Sequence, residues 1–387
     1  MQRLNQIITN LGFYYFIFLC AEVFLMGSGQ EVKVFGPVSL RMLNFAIAAS
    51  AGILVIFRQS IPSEIAVIIV SYTIIIYISM AVGFLNGSDN DLIMMDVKMF
   101  LALFAFPFFY YGLKTARAVE VLFSTFVLCM KVMIMAYIFY MVVVYFLKLI
   151  PFNVVWLALE PLDSFRFRGT EGALFYKGFL FMPIASVAFL IRRNRIWLIL
   201  SAVAIFLTYT RGFYVIFFMG IILNYMMSEK VSFNMILGLG LLMLCIYVVI
   251  DLLGLFEVSE ARQQGDTVRW MTFQQVWDEV NPISFLVGHG FGHGVPIRKE
   301  HMEMSFLEIF HKQGLIGFIV WFILFYRSLY FWKNTPADVE MYARFFVIAL
   351  VLVYIQSLFN PYLTNAIGIS MVMLSYLSCY RLFRVCA

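Results

Sequence analysis

The sequence predicts an all-α polytopic membrane protein of about twelve transmembrane helices, with a large, partly helical, outward-facing loop near its C-terminal third. Two observations carry this. Of the 387 residues, 63% are hydrophobic and only 13% charged, which leaves too little polar surface for a soluble fold of this length. Apolar runs of near-spanning length also follow one another through the whole chain, and lipid accepts apolar surface on every side. An aromatic content of 18% agrees with both, since Trp and Tyr favour membrane interfaces.

The spans are read at 11–28, 37–57, 64–85, 93–113, 118–149, 174–191, 196–210, 212–227, 234–254, 314–332, 341–358 and 366–382, within one membrane domain covering 1–387. Two runs need a decision, because 118–149 and 196–227 are each 32 residues long and would span about 48 Å as single helices. The first contains no Gly or Pro and is read as one long helix. The second is interrupted by Thr208-Tyr209-Thr210-Arg211-Gly212, and an arginine at a helix centre costs about 2.5–3.5 kcal/mol in the bilayer, so the run is split there. Orientation follows the basic residues. Arg3, Arg58, Lys114, Arg117, Arg192, Arg193, Arg195, Lys230, Lys333, Arg381 and Arg384 fall in one set of loops, expected to be cytoplasmic together with both termini. The alternate set, 29–36, 86–92, 150–173, 255–313 and 359–365, then faces outward.

The net charge of +5 is a topology signal. Nucleic-acid binding requires a clustered basic face, and these basic residues are dispersed between apolar runs. Cys20, Cys129, Cys245, Cys379 and Cys386 lie in or beside apolar segments, so no disulfide is expected. The N-terminus has no obvious cleavable signal peptide.

Residues 255–313 form the longest polar stretch. Within it 267–280 has helical spacing, 288–294 (Gly-His-Gly-Phe-Gly-His-Gly) is turn-rich, and 301–313 reads as a helix leading into the next span. If so, Glu303, Phe306, Leu307 and Phe310 share a mainly apolar face, and His301, Ser305, Glu308 and Lys312 a polar one.

Topology does not explain basic residues on the outward side. Arg166, Arg168, Arg211, Arg262, Arg269 and Arg298 lie there, and a guanidinium fork suits phosphate and carboxylate oxygens. The plain alternative for each is a side chain that snorkels to headgroups or pairs with a nearby acid; it is weakest for Arg211, which interrupts an apolar run. All four histidines fall between 289 and 311. His289 and His293 lack further ligands at the usual spacing, so no metal and no cofactor are expected, and both are assigned to substrate binding. His301 and Glu303, beside Arg298, are candidates for a general base toward a sugar hydroxyl. Asp89-Asn90-Asp91 is read as a polar turn. Glu22, Arg41, Asp96, Lys98 and Lys131, all within spans, are expected to face the interior.

Taken in order, several segments resemble the O-antigen polymerase and O-antigen ligase superfamily. These are Arg269-Trp270 followed by a helix and Pro282 through Gly288-His289-Gly290-Phe291-Gly292; Glu303-Met304, nine residues, then Gly314-Leu315-Ile316-Gly317; the Thr210-Arg211-Gly212 turn; and Asn360-Pro361-Tyr362. Ligases of that superfamily carry His where Glu303 stands, so the polymerase branch is the nearer resemblance. The resemblance implies a bacterial inner-membrane enzyme. It would polymerise undecaprenyl-pyrophosphate-linked repeat units at the periplasmic face, by inverting, metal-independent transfer. A chain-length regulator is a possible partner, and the bilayer and the lipid-linked donor and acceptor are the others. On this reading Glu303 or His301 is the base, Arg211 with Arg262 or Arg269 stabilises the pyrophosphate, and Arg168 and Arg166 hold the second chain. Two other functions compete: ligation of finished glycan to lipid A core or protein, and flipping of lipid-linked oligosaccharide. Concentration of polar chemistry in one late loop speaks against the flippase.

Overall fold

The computed structural model describes residues 2–27, 29, 32–35, 38–58, 60–159, 165–168, 173–228 and 260–384. Among these, eight helices are long and apolar enough to cross a membrane: Leu40–Phe57, Ser63–Leu85, Asn90–Gly112, Ala116–Phe146, Arg211–Ser228, Ser305–Lys333, Glu340–Ser357 and Ala366–Phe383. Three shorter apolar helices, Asn10–Leu25, Lys177–Ile191 and Arg195–Leu207, stand where further spans were expected. The expected span 234–254 lies outside the described residues.

In chain order the helices are α1 (Gln2–Leu25), α2 (Leu40–Arg58), α3 (Ser63–Leu85), α4 (Asn90–Phe100), α5 (Phe106–Gly112), α6 (Ala116–Tyr140), α7 (Phe152–Leu159), α8 (Phe181–Ile191), α9 (Arg195–Leu207), α10 (Arg211–Ser228), α11 (Glu260–Glu279), α12 (Pro282–Val287), α13 (Ser305–Lys333), α14 (Glu340–Ser357) and α15 (Ala366–Phe383). Two small antiparallel hairpins, β1–β2 (Lys33–Phe35 with Val38–Ser39) and β3–β4 (Phe165–Arg168 with Ala173–Tyr176), accompany them. Sequence reading expected neither. The start of the expected span 174–191 is strand β4 and a 3-10 turn, and its α-helix begins only at Phe181.

The long run without Gly or Pro is continuous as expected: α6 passes into a π-helical turn at Met141–Phe146. The run containing Arg211 is broken as expected. Helix α9 ends at Leu207, Tyr209 adopts a left-handed φ of 49°, and α10 starts at Arg211. The core lies along α15, where every residue from Ile367 to Tyr380 is buried. A helix apolar on all faces is stable only when surrounded, and α13, α14, α5 and α6 surround this one. Outer helices expose large apolar side chains such as Phe57, Val67, Tyr77, Leu128 and Ile196, as a lipid-facing surface requires.

Charges inside the bundle are mostly paired. Glu22 and Arg41 form a buried ion pair at 3.0 Å, and Asp96 is buried. Lys131 lies 5.1 Å from the Trp197 ring centroid. Lys98 departs from expectation. It is exposed, in the last turn of α4, where a cation is favoured by the helix dipole and needs no buried partner.

The bundle has two chemically distinct ends. At one, Glu64 accepts from Arg327 Nε (2.8 Å) and Tyr376 (2.9 Å), Arg381 Nε donates to the Leu113 carbonyl (2.7 Å), and Arg192 Nη2 donates to Ser124 (2.9 Å). At the other lie the C-termini of α1, α3, α9 and α14, the N-termini of α4, α10, α13 and α15, and the segment 280–304. These are tied together by Tyr176 to the Leu25 carbonyl (2.9 Å), Asn86 Nδ2 to the His289 carbonyl (2.8 Å) and Ser305 Oγ to the Asn360 carbonyl (3.1 Å).

Candidate active site

The glycine-rich segment 288–294 is a plug docked by its backbone. His289 N donates to the His311 carbonyl (2.8 Å) and Gly290 N to the Lys312 carbonyl (3.1 Å). Those carbonyls sit just before Gly314, whose φ of 63° and ψ of −161° break the regularity of α13. The break releases carbonyls that an unbroken helix would satisfy four residues on, and the loop amides take them. On the other side Phe291 N donates to the Ser79 carbonyl (2.8 Å) and Gly292 N to Asp96 Oδ2 (2.7 Å). Phe291 is fully buried and stacks on Phe100 with centroids 5.6 Å apart. Gly83 is obligatory here, because a Cβ on it would collide with the Phe291 carbonyl oxygen.

Beyond the plug, Val276, Val295 and Met302 form a small separate core. Over it α11 and residues 297–303 present an arginine clamp. Arg269 Nε donates to Glu303 Oε2 and Arg298 Nη2 to Glu303 Oε1, both at 2.6 Å, while Arg269 Nη1 also meets Asp266 Oδ1 at 2.8 Å. All three members of the clamp are about one-third exposed (33–39%). Helix α13 begins at Ser305, so the expected helix over 301–313 is wrong for its first four residues. Glu303 therefore sits on no apolar helix face. The early start fails because the backbone of 301–304 is turned to bring Glu303 to both guanidinium groups.

Beneath the clamp is a buried charge network. Lys312 Nζ lies 2.6 Å from Asp96 Oδ1, 2.9 Å from Glu308 Oε1 and 2.9 Å from the Glu300 carbonyl, and all three side chains are at most 2% exposed. His301 joins from the solvent side. Its Nδ1 is 3.5 Å from Glu308 Oε1 and 3.8 Å from Asp96 Oδ1. That nitrogen is buried although the side chain is 39% exposed, so the open edge of the ring faces outward. A histidine backed by a carboxylate is the arrangement that orients a general base. Asp96, His301 and Glu308 are also close enough to share a cation, but the Lys312 ammonium already fills that place.

A third cluster lies at the loop's edge. The rings of His289, His293 and His311 have centroids 4.8–5.4 Å apart, and Glu279 Oε2 lies 3.3 Å from His293 Nε2 and 3.7 Å from His311 Nε2. Burial and the neighbouring His293 push the His289 pKa below its ordinary value.

No family model matches the chain. It is similar to an O-antigen polymerase of Shigella flexneri, 25% identical over 375 residues that span 94% of each chain. This full-length likeness supports an O-antigen polymerase-type family. With the apolar helices, it supports a multi-pass inner-membrane protein.

Several of the expected site residues lie at the same end of the bundle. Glu303, Arg269 and Arg298 are in direct contact, and His301 stands two residues away. Arg211 opens α10 at the same end. Gly212 abuts Gln356, one turn before Asn360, and the Asn360 carbonyl accepts from Ser305. Arg166 and Arg168 are on strand β3, whose partner residue Phe175 stacks on Phe213 at 5.7 Å. The backbone of that hairpin thus lies against the start of α10. The side chains of Arg166, Arg168 and Arg262 are outside the described residues. Asp89 of the Asp-Asn-Asp turn caps α4, accepting from Asp91 N at 2.9 Å, in line with its reading as a polar turn. Sequence reading missed Glu279, His311, Glu308 and Lys312 as site neighbours, although Glu308 and Lys312 at i, i+4 on the expected polar helix face were a legible sign of an ion pair. It also missed the row Trp270, Phe273 and Trp277 on α11, exposed rings stacked at 5.7 and 6.4 Å. Such rings suit a membrane interface or the apolar face of a sugar.

Proposed function

We propose that the chain polymerises undecaprenyl-pyrophosphate-linked repeat units at the periplasmic face, with the clamp end outward, both termini cytoplasmic and twelve spans in all. The observation that carries this reading is the pairing of an outward-edged His301, backed by Glu308 and Asp96, with guanidinium groups held by Glu303 a few residues away. A hydroxyl of the acceptor sugar attacks the anomeric carbon of the donor. The new glycosidic bond forms as the bond to the pyrophosphate oxygen breaks, with inversion, and the hydroxyl proton passes to His301. Charge grows on the departing diphosphate, and donors fixed in advance lower that barrier most. Arg211 opens α10, so an anion there is attracted by its guanidinium and by the positive end of the helix dipole. Arg269, with Arg262 on the same helix, serves the same charge.

Glu303 has both oxygens occupied by arginines, which suits it to hold Arg269 and Arg298 in place; His301 is the better base. The hairpin bearing Arg166 and Arg168 receives the second lipid-linked chain, and no metal takes part in the transfer. A chain-length regulator would act from outside this site.

The test is the polysaccharide ladder of a deletion strain complemented with single variants. Arg211→Ala should abolish chain extension while membrane levels are kept, and His301→Gln should slow it by roughly 100- to 10,000-fold, the usual worth of a general base. A normal ladder from Arg211→Ala refutes the anion role. Full-length polymer left on the carrier lipid in the deletion strain would instead identify a ligase.

A further inference from the structure

The geometry points to a divalent-cation site of the zinc type, closed by His289, His311 and Glu279. One ligand atom from each of these residues lies within 4.8 Å of the others. A tetrahedral zinc with bonds near 2.0–2.1 Å sets its ligand atoms about 3.4 Å apart. The Glu279 Oε2 to His311 Nε2 separation of 3.7 Å is already close to that. Side-chain shifts of about 1 Å would complete the set.

The hydrogen bonding says the cluster wants an ion. His311 is buried to 1% exposure, and neither of its ring nitrogens has a hydrogen-bond partner among the described residues. Nε2 of His289 is likewise without one, while the Glu279 backbone hydrogen-bonds the His289 ring. A ring anchored through one nitrogen and bare at the other is the usual posture of a metal ligand. Buried polar atoms left unpartnered are costly, and protonating three adjacent imidazoles beside one carboxylate would set like charges against each other. A cation resolves both. Imidazole nitrogens with one carboxylate favour zinc over magnesium or calcium, which prefer all-oxygen shells. His293 Nε2, 3.3 Å from the same Glu279 Oε2, steadies that carboxylate.

The ion would be structural. Glu279 ends α11, His289 belongs to the glycine plug and His311 precedes the break at Gly314. One ion would therefore fasten three segments that converge on the arginine clamp without touching the transfer chemistry, which the previous reading places at His301 and Arg211.

The experiment uses the full chain purified in detergent. Metal analysis of wild type after exposure to zinc and desalting should give about one zinc per chain, and the double variant His289→Ala/His311→Ala less than a tenth of that. Chelator should lower the wild-type melting temperature and zinc restore it. If the variant cannot be purified, wild type stripped of metal is titrated with cobalt(II), and a tetrahedral-type visible band saturating at one equivalent supports the site. Absence of zinc and of any cobalt band in wild type overturns it. Equal zinc in the double variant means an adventitious ion only, and overturns it as well.

Discussion

Lys312→Met isolates the buried charge network. The ammonium contacts two carboxylates and a carbonyl within 2.9 Å, and the partners Asp96 and Glu308 are at most 2% exposed. Methionine nearly conserves the shape and removes only the charge, so packing loss is small. What remains is two carboxylates sharing a buried gap, faced only by the more distant His301 Nδ1 at 3.5–3.8 Å. Removing one partner of a buried pair costs about 3–5 kcal/mol, and with two acids stranded the expected loss lies toward the upper figure. The assay is denaturant unfolding of the detergent-solubilised chain followed by tryptophan fluorescence. Asp96→Asn alone should destabilise, yet in the Lys312→Met background it should give back about half of the loss, because it removes one of the two stranded charges. If Lys312→Met costs less than about 1 kcal/mol, the level of an exposed pair, or if Asp96→Asn adds to its effect without rescue, the network is not held together as described.

Gly83→Ala places a Cβ against the Phe291 carbonyl, which is backbone and cannot step aside; chain extension should fall at unchanged membrane abundance, with the 288–294 segment newly open to protease. Phe291→Ala empties a fully buried ring site stacked on Phe100 and should cost about 3–5 kcal/mol in the same unfolding assay. Glu303→Gln keeps one acceptor oxygen and loses one guanidinium contact, so extension should drop by a smaller factor than in His301→Gln; a larger drop would exchange their roles and make Glu303 the base.

The bundle was legible because a lipid-facing helix writes itself as an uninterrupted apolar run, and a charge inside such a run marks either a break or a buried partner. Arg211 marked a break and Asp96 an inward-facing charge, and both readings hold. Lys98 read the same way and is exposed instead, since a residue in the last turn of a helix has a favourable place for a cation that spacing alone does not reveal. The first residues of 301–313 misread for a similar reason. Their local pattern suits a helix, but ion pairs to Arg269, more than thirty residues earlier, hold the backbone elsewhere. Long-range partners of this kind leave no mark at helical or strand spacing. The same limit hid the histidine cluster: the imidazole of 311 and the carboxylate of 279 reach 289 and 293 only through the fold.

The glycines of 288–294 and Gly314 belong to one device. A break in α13 frees two carbonyls, and the plug uses them on one side while Asp96 and the Ser79 carbonyl hold it on the other. Asp96 is thus shared: one oxygen fixes the plug through Gly292 and the other engages Lys312, whose second carboxylate, Glu308, backs His301. The position of His301 is therefore coupled to the seating of a loop whose flanks carry Arg269 and Arg298. An assembly of this kind cannot lose its plug and keep His301 oriented. Substitutions at Gly83 or Phe291, with no polar atom of their own to offer a substrate, should for that reason resemble substitutions at His301 in the polysaccharide ladder.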